Sequence, residues 1–336
     1  MWVQVVKRPT VISLFAGCGG SSLGYKLAGF RELLAVEWDD NAVETFKLNF
    51  PDVPVYHGDI CKLTSKECMK LAGIKVGELD ILDGSPPCQG FSTAGKRKFN
   101  DSRNDLFKEF VRLLRDLQPK VFVFENVSGL VKGYMKQIYL EIMRELRGCG
   151  YTCKGQVLNA MYFNVPQSRE RVIIIGVRND LRIEPSHPKP ESTSIILRDC
   201  IWDLRGNNSG DRMIPPLLIA IARYQPDEWN TDDIIYRRIK GNTASSISLK
   251  WGGWNRICQT LSKSEISLTG IVHPDRERYI SLMEGKRIST YPDDFRFTDR
   301  KNGLMRIGNS VPPLFMKAIA EHVHSKILRK AEDAQS

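Results

Sequence analysis

The chain has 336 residues, a net charge of +10, 42% hydrophobic and 26% charged residues, a profile that suits a globular protein of two domains and favours a polyanionic partner. No apolar run approaches the roughly 18 residues of a membrane span, and residues 1–9 lack a signal-peptide core, so an intracellular (cytoplasmic) protein without a membrane partner is expected. Eight cysteines without regular spacing exclude a disulfide framework, and Cys149 and Cys153 have no histidine at zinc-ligand spacing, so no metal is expected.

In chain order, residues 11–15, 33–37, 53–59, 79–82, 121–124 and 171–177 read as strands. Each is a short, mostly apolar run bounded by turn residues or charges, 53–59 being the weakest. Between them 21–28, 41–49, 105–117 and 134–146 carry helical spacing. Leu106, Phe110, Leu113, Leu114 and Leu117 give the third helix a continuous apolar stripe. This alternation predicts an α/β fold around a mostly parallel, doubly wound sheet covered on both faces. Past residue 180 the pattern changes. Pro185, Pro188 and Pro190 lead into a stretch, 182–270, with little periodicity and near charge balance. A first domain at 1–181 and a smaller, loop-rich second domain at 182–285 are therefore expected. Helical spacing returns from about residue 277, and 318–328 reads as an amphipathic helix. The segment 286–336 is expected to return to the first domain.

Two segments carry chemistry. Residues 84–92 read Gly-Ser-Pro-Pro-Cys-Gln-Gly-Phe-Ser behind the strand at 79–82. Neither Pro86 nor Pro87 can donate a backbone N–H, so pairing stops there and Cys88 stands on a stiff turn at the rim of a sheet. A thiol so placed suits a nucleophile; the alternative is a small buried hydrophobe. The second segment, Phe15-Ala16-Gly17-Cys18-Gly19-Gly20, joins the first strand to a helix. Its glycines allow close approach of a ligand, but Ser22 stands where a dinucleotide fingerprint places its third glycine. Glu37, 20 residues after Gly17, suits a ribose diol; Trp38 suits an adenine face; Asp59 suits an adenine amino group. Glu37, Asp39 and Asp40 can equally begin a helix. Gly17, Glu37, Asp59 and Pro86 all fall at carboxyl ends of strands, a set that fits an adenosine-containing cofactor without pyrophosphate. Basic clusters at Lys96-Arg97-Lys98, Arg169 with Arg171, Arg237-Arg238 and Arg300-Lys301 either converge on one groove or solvate separate faces.

Taken together the chain resembles the cytosine-C5 DNA methyltransferase family of the restriction-modification type. FAGCGG, EW, GD, PPCQGFS, DSR before LF, ENV, QSRERV and GNSVPP occur in that family's order over nearly the whole length. The resemblance implies the S-adenosylmethionine-dependent methyltransferase fold, with a target-recognition region between QSRERV and GNSVPP. It implies Cys88 as nucleophile, Glu125 as the contact to the target base and Arg169 as support for the reacting site. Gln167 and Arg171 would hold the loops, Arg171 within the catalytic set. Phe15, Gly17, Gly19, Gly20, Glu37, Trp38, Asp59, Ile60, Pro86 and Asn309 would line the cofactor site. Gln89, Ser92, Lys96, Arg97, Lys98, Gln167, Arg237 and Arg238 are the residues expected against double-stranded DNA. Ser289-Thr290-Tyr291-Pro292 departs from the Gln-Gly-Phe-Pro common in the family. That segment is mainly scaffold, so inter-domain contacts rather than catalysis become harder to infer.

The chemistry implied is addition of a thiolate to carbon 6 of cytosine, which activates carbon 5 for methylation. A protonated Glu125 in an apolar pocket beside N3 would assist. The target base has to leave the duplex stack, and residues 90–98, with Gly90 and Gly95 as hinges, suit a closing lid or form an ordinary solvated loop. A tRNA cytosine methyltransferase and a catalytically silent DNA-binding relative are the alternatives, with a dehydrogenase more distant. A monomer is expected, with a cognate restriction endonuclease as a compatible separate partner.

Overall fold

The computed structural model describes residues 8–87, 106–133, 135–191, 193–206, 213, 250–262, 271–275 and 278–334. These divide between two compact units, one drawn from Met1–Leu158, Glu170–Lys189 and Met316–Ser336, the other from Asn159–Arg169 and Pro190–Phe315.

The first unit is built on a seven-stranded sheet. Its strands are β1 (Thr10–Leu14), β2 (Arg31–Glu37), β3 (Val55–His57), β4 (Ile81–Gly84), β5 (Val121–Val127), β6 (Tyr151–Asn159) and, after the two-residue β7 (Gln167–Ser168) of the other unit, β8 (Glu170–Arg178). The order is β3-β2-β1-β4-β5-β8-β6. β1 pairs in parallel with β2 and β4, as do β2 with β3 and β4 with β5. β8 is antiparallel to β5, pairing Val121 with Val177 and Val127 with Arg171. Strand order reverses across β1 and β4, and the carboxyl ends of strands at such a reversal are where open α/β sheets bind ligands. The central strands are buried along nearly their whole length because helices cover both faces, which explains their continuous apolar runs.

The connecting helices are α1 (Gly20–Leu27), α2 (Asp40–Asn49), α3 (Ser65–Ala72), α4 (Leu106–Leu117) and α5 (Met135–Gly148). The stripe of α4 lies on the sheet, where Phe110 meets Phe122 and Phe124 edge-on at 5.9 and 5.2 Å. Gly84 ends β4 beneath that ring; a Cβ there would come within 2.7 Å of Phe110 Cδ2. Helix α3 and strand β6 are not visible in the sequence pattern. Only Cys68 of α3 is buried, so its apolar face is too thin to show, and β6 is an edge strand with irregular alternation. The C-terminal helix is longer than 318–328: Pro313–Val323 continues through a π turn at His324–Leu328 into Arg329–Asp333. Within the first unit, the His324 ring lies 5.8 Å from Phe30 and His322 Nε2 lies 2.8 Å from Ser186 Oγ.

The second unit has little regular structure among its described residues. Short strands pair Gln167–Ser168 with Cys258–Gln259, and Lys250–Trp251 with Ile271–Val272. Helix α7 (Leu282–Ile288) packs against both α6 (Leu197–Ile201) and α8 (Arg300–Asn309), and Leu261, Tyr291, Phe295 and Leu304 are buried in this unit. Its firmest polar element is buried: both oxygens of Glu284 accept from Arg278 at 2.8 Å, and His273 Nε2 lies 3.1 Å away. Burial pushes the Glu284 carboxyl up, but those partners outweigh it and bring it down to about 2.

Candidate functional site

Three strand ends of the first unit carry the residues singled out in the sequence. At the end of β1 the chain turns through left-handed backbone at Phe15 (φ 58°), Gly17 (57°) and Gly19 (93°). Gly19 is obligatory on two counts, since a Cβ there would also run into the Phe50 ring. At the end of β2, Glu37 gathers three N–H donors: Gly17 at 2.8 Å, Trp38 at 2.9 Å and Asp39 at 3.0 Å. The two readings of this acidic run thus separate. Asp39 caps α2 through Ala42 N, while Glu37 ties the glycine loop to the end of β2. Past β3, Asp59 accepts from Cys61 N at 3.0 Å and starts a short turn in which Ile60 is buried.

These residues fit an adenosine. Trp38 exposes 74% of its surface, and a flat ring at a strand end offers a stacking face. A carboxylate has about four acceptor positions, so Glu37 keeps one beyond its three backbone donors. The set is poorer for a pyrophosphate, because Ser22 is buried and turns its hydroxyl to Glu32 Oε1 at 2.8 Å.

β4 runs out at Gly84 into Ser85, Pro86 and Pro87. The Pro86 carbonyl accepts from Asn126 Nδ2 at 3.1 Å. Asn126 is buried in β5, next to Glu125, and its Oδ1 accepts from Val127 N at 2.9 Å. Glu125 is 7% exposed and pairs with Arg171, whose Nε lies 2.8 Å from Oε1. The antiparallel register of β8 brings Arg171 to this end of the sheet. The surroundings expected for Glu125 were apolar; the structure adds a guanidinium to them.

In the second unit Arg169 is 2% exposed. Its Nη1 donates to the Leu261 carbonyl at 2.9 Å and its Nη2 to the Gly308 carbonyl at 3.0 Å. Its backbone N–H reaches Asn159 Oδ1 at 3.0 Å. Gln167 is 1% exposed, donates from Nε2 to Ser289 Oγ at 3.1 Å and accepts Leu261 N at 3.2 Å, so its amide joins loops inside the unit. Asn309 is exposed at the end of α8. Cys88, Gln89, Ser92, Lys96, Arg97, Lys98, Arg237 and Arg238 lie outside the described residues.

Sequence reasoning passed over Asp83 and Tyr25, which are buried and hydrogen-bonded to each other, and the half-buried Glu32, which accepts from Ser22. The signal for Asp83 was an acid inside an otherwise apolar strand. It also passed over Trp202, which Arg205 covers at 4.3 Å and Arg198 at 5.3 Å.

A family model described as C-5 cytosine-specific DNA methylase matches residues 9–325. The chain is 34% identical over 371 aligned positions to the type II methyltransferase M.XorII of Xanthomonas oryzae pv. oryzae, covering 97% of this chain and 87% of that relative. It is 34% identical over 336 positions to the type II methyltransferase M1.HphI of Haemophilus parahaemolyticus, covering 94% and 86%. A crystal structure from an Escherichia coli prophage, described as a DNA modification methyltransferase, is 27% identical with a TM-score of 0.74, covering 95% of this chain and 99% of that one.

Proposed function

The chain belongs to the C-5 cytosine-specific DNA methylase family and is a DNA cytosine-C5 methyltransferase, and from that premise we propose that it works through a transient bond between Cys88 and carbon 6 of a flipped-out cytosine. Carbon 5 is a poor nucleophile while the ring is aromatic. Thiolate addition at carbon 6 makes carbon 5 enamine-like and splits one prohibitive step into two easier ones. A free thiol is only a few per cent ionised near neutrality, so backbone N–H groups around Gln89 and Gly90 are assigned the task of activating it. Glu125, once it carries a proton, meets the charge that develops toward N3 and supplies a hydrogen bond or proton there. Arg171 orients that carboxyl, and Arg169 acts on the loops rather than on the base. Loss of the carbon 5 proton to solvent and expulsion of Cys88 restore the ring.

Catalysis in this family and fold is S-adenosylmethionine-dependent. The cofactor supplies an electrophilic methyl group on a sulfonium. Glu37 would hold its ribose, Trp38 would lie against its adenine and Asp59 would accept from the adenine amino group. Phe15, Gly17, Gly19, Gly20, Ile60 and Pro86 would line the same end, and Asn309 is a further residue we assign to the cofactor. The substrate is double-stranded DNA, bound by a monomer through residues 90–98 and a recognition region that includes Arg237 and Arg238. Because relatives are type II methyltransferases, we read the chain as the modification partner of a separate endonuclease.

The observation that supports this reading most is the Asn126–Pro86 hydrogen bond. It fastens the turn that leads to Cys88 onto the strand that presents Glu125, so nucleophile and base contact share one anchor. The test is DNA carrying 5-fluorocytosine, which traps the adduct. An SDS-stable complex with the parent protein, absent in Cys88→Ala, is expected. Labelling of total tRNA in preference to DNA, or methylation by Cys88→Ala at the parental rate, would overturn it.

A further inference from the structure

Helix α1 follows the glycine loop, yet no side chain caps its N-terminus, where Gly19 stands in left-handed backbone. Its position is fixed from within the core instead. Ser22 and Tyr25, three residues apart and therefore on one face of the helix, reach two different strands. Ser22 Oγ donates to Glu32 Oε1 on β2 at 2.8 Å, and Tyr25 OH donates to Asp83 Oδ1 on β4 at 3.1 Å. Tyr25, Ser22 and Asp83 are buried. β1 runs between the two strands, and its Ser13, paired with Asp83 across β1 and β4, is buried too. Among the described residues, no cation pairs with Asp83 or Glu32. Burial pushes Asp83 well above the usual carboxylate range, with Glu32 and Glu125 adding to the effect. Burial likewise pushes Glu32 up to about 7, while the Ser13 and Ser22 hydroxyls draw it down.

We propose that Tyr25, Asp83, Ser22 and Glu32 are positioning residues that lock helix α1, and with it the glycine loop, to the two strands that end in Glu37 and in the Pro-Pro-Cys turn. The inference rests on the assignment of those ends to cofactor and nucleophile. The lock explains why Asp83 stays buried in β4 and Glu32 half-buried beside it in the helix contact. Hydroxyl-to-carboxyl bonds have narrow geometry, whereas apolar contacts between α1 and the sheet would let the helix slide. It also makes the lock sensitive to pH. Glu32 faces Ser13 and Ser22, Asp83 faces Tyr25, and Glu32 and Glu125 are the other acids close enough to act on Asp83. Proton loss from Glu32 adds a half-buried negative charge without a cationic partner among the described residues and loosens the helix.

The test uses the full chain. Tyr25→Phe and Ser22→Ala each remove one hydroxyl at constant shape, and Asp83→Asn keeps an acceptor for Tyr25. S-adenosylmethionine affinity by calorimetry and single-turnover methyl transfer are measured as ratios to the parent, at a temperature where circular dichroism shows all variants folded. Tyr25→Phe and Ser22→Ala should each weaken cofactor binding about fivefold, the value of one hydrogen bond of ~1 kcal/mol, and Asp83→Asn should stay within twofold. Parental affinity should fall as pH rises through about 7, and Glu32→Gln should flatten that profile. Affinities within twofold for both hydroxyl variants, or an unchanged pH profile in Glu32→Gln, would overturn the lock. A parent that binds no S-adenosylmethionine would instead sink the cofactor assignment, and the ratios would have no denominator.

Discussion

Replacing Arg171 by Met separates orientation of Glu125 from its mere presence. The pair is close, at 2.8 Å, and its side chains keep only 13% and 8% of their surface in solvent. Met retains the apolar length of the arginine stem and removes the guanidinium. Breaking a buried pair from one side costs about 3–5 kcal/mol, because the remaining charge loses its partner while staying desolvated. Glu125 lies at a strand end, so the lower figure applies; at about 2 °C per kcal/mol for a chain of this size, the melting temperature should drop by about 6 °C. Catalysis should suffer more. A positioned acid contributes roughly 10²–10⁴ in rate, and a Glu125 free to turn toward solvent forfeits much of that. Single-turnover transfer of labelled methyl groups should therefore slow at least a hundredfold, with DNA affinity within a few-fold of the parent. Arg171→Met together with Glu125→Gln should melt higher than Arg171→Met alone, since no unpaired charge is left. If Arg171→Met methylates within twofold of the parental rate, the guanidinium does not orient the carboxyl, and Glu125 must be held by other means.

Gly19→Ala combines a left-handed backbone with a Cβ directed into the Phe50 ring, so it should abolish measurable S-adenosylmethionine binding in a calorimeter while leaving DNA affinity within a few-fold of the parent. Glu284 gives an acid limb of opposite sign to Glu32. Its folded value of about 2 lies below the ordinary 4.5, so its contribution is present above 4.5 and is lost as pH falls toward 2. That shift amounts to roughly 3 kcal/mol, and denaturant titrations of Glu284→Gln should show a shallower acid limb than the parent. Changing Lys96, Arg97 and Lys98 together to Ala should weaken DNA binding and reduce the slope of log affinity against log salt by about 0.9 for each phosphate no longer neutralised. An unchanged slope would remove residues 90–98 from the DNA surface.

The parallel core was legible because its strands are buried on both faces, and the runs at Val11, Leu33 and Val121 need no partner information to be seen. The glycine and proline segments were legible because backbone constraints are local. Ser22 shows the limit of that legibility. In sequence it is only a missing glycine; in the fold it is a donor to Glu32, a contact set by how α1 lies across β2. Asp83 lies just past the run at 79–82 that reads as a strand, and only the fold extends that strand through it. The second unit was least legible. Arg169 draws its carbonyls from Leu261 and Gly308, 92 and 139 residues away, and bonds of that span leave no periodicity. Gln167 reads as a polar residue near a DNA-binding region, and only its two loop partners show that it points inward.

The two acids around β4 explain how one strand serves both stability and chemistry. Asp80 precedes the strand, at the end away from the Pro-Pro turn. It accepts Thr10 N at 2.8 Å and Thr10 Oγ1 at 3.0 Å, and pairs with Lys120 Nζ at 2.8 Å. Those contacts pin β4 to the starts of β1 and β5, its two neighbours in the sheet, so the strand cannot slip. Asp83, three residues on, points to the opposite face and receives a neutral hydroxyl instead of a cation. The difference follows from position. Asp83 lies close enough to Glu125 to feel its charge, and a lysine or arginine placed against Asp83 would compete with Arg171 for the same carboxylate. A phenol satisfies Asp83 without adding charge, leaving Arg171 as the cation that sets the direction of Glu125. Tyr25→Lys should therefore damage methyl transfer more than Tyr25→Phe, even where the lysine restores an ion pair to Asp83.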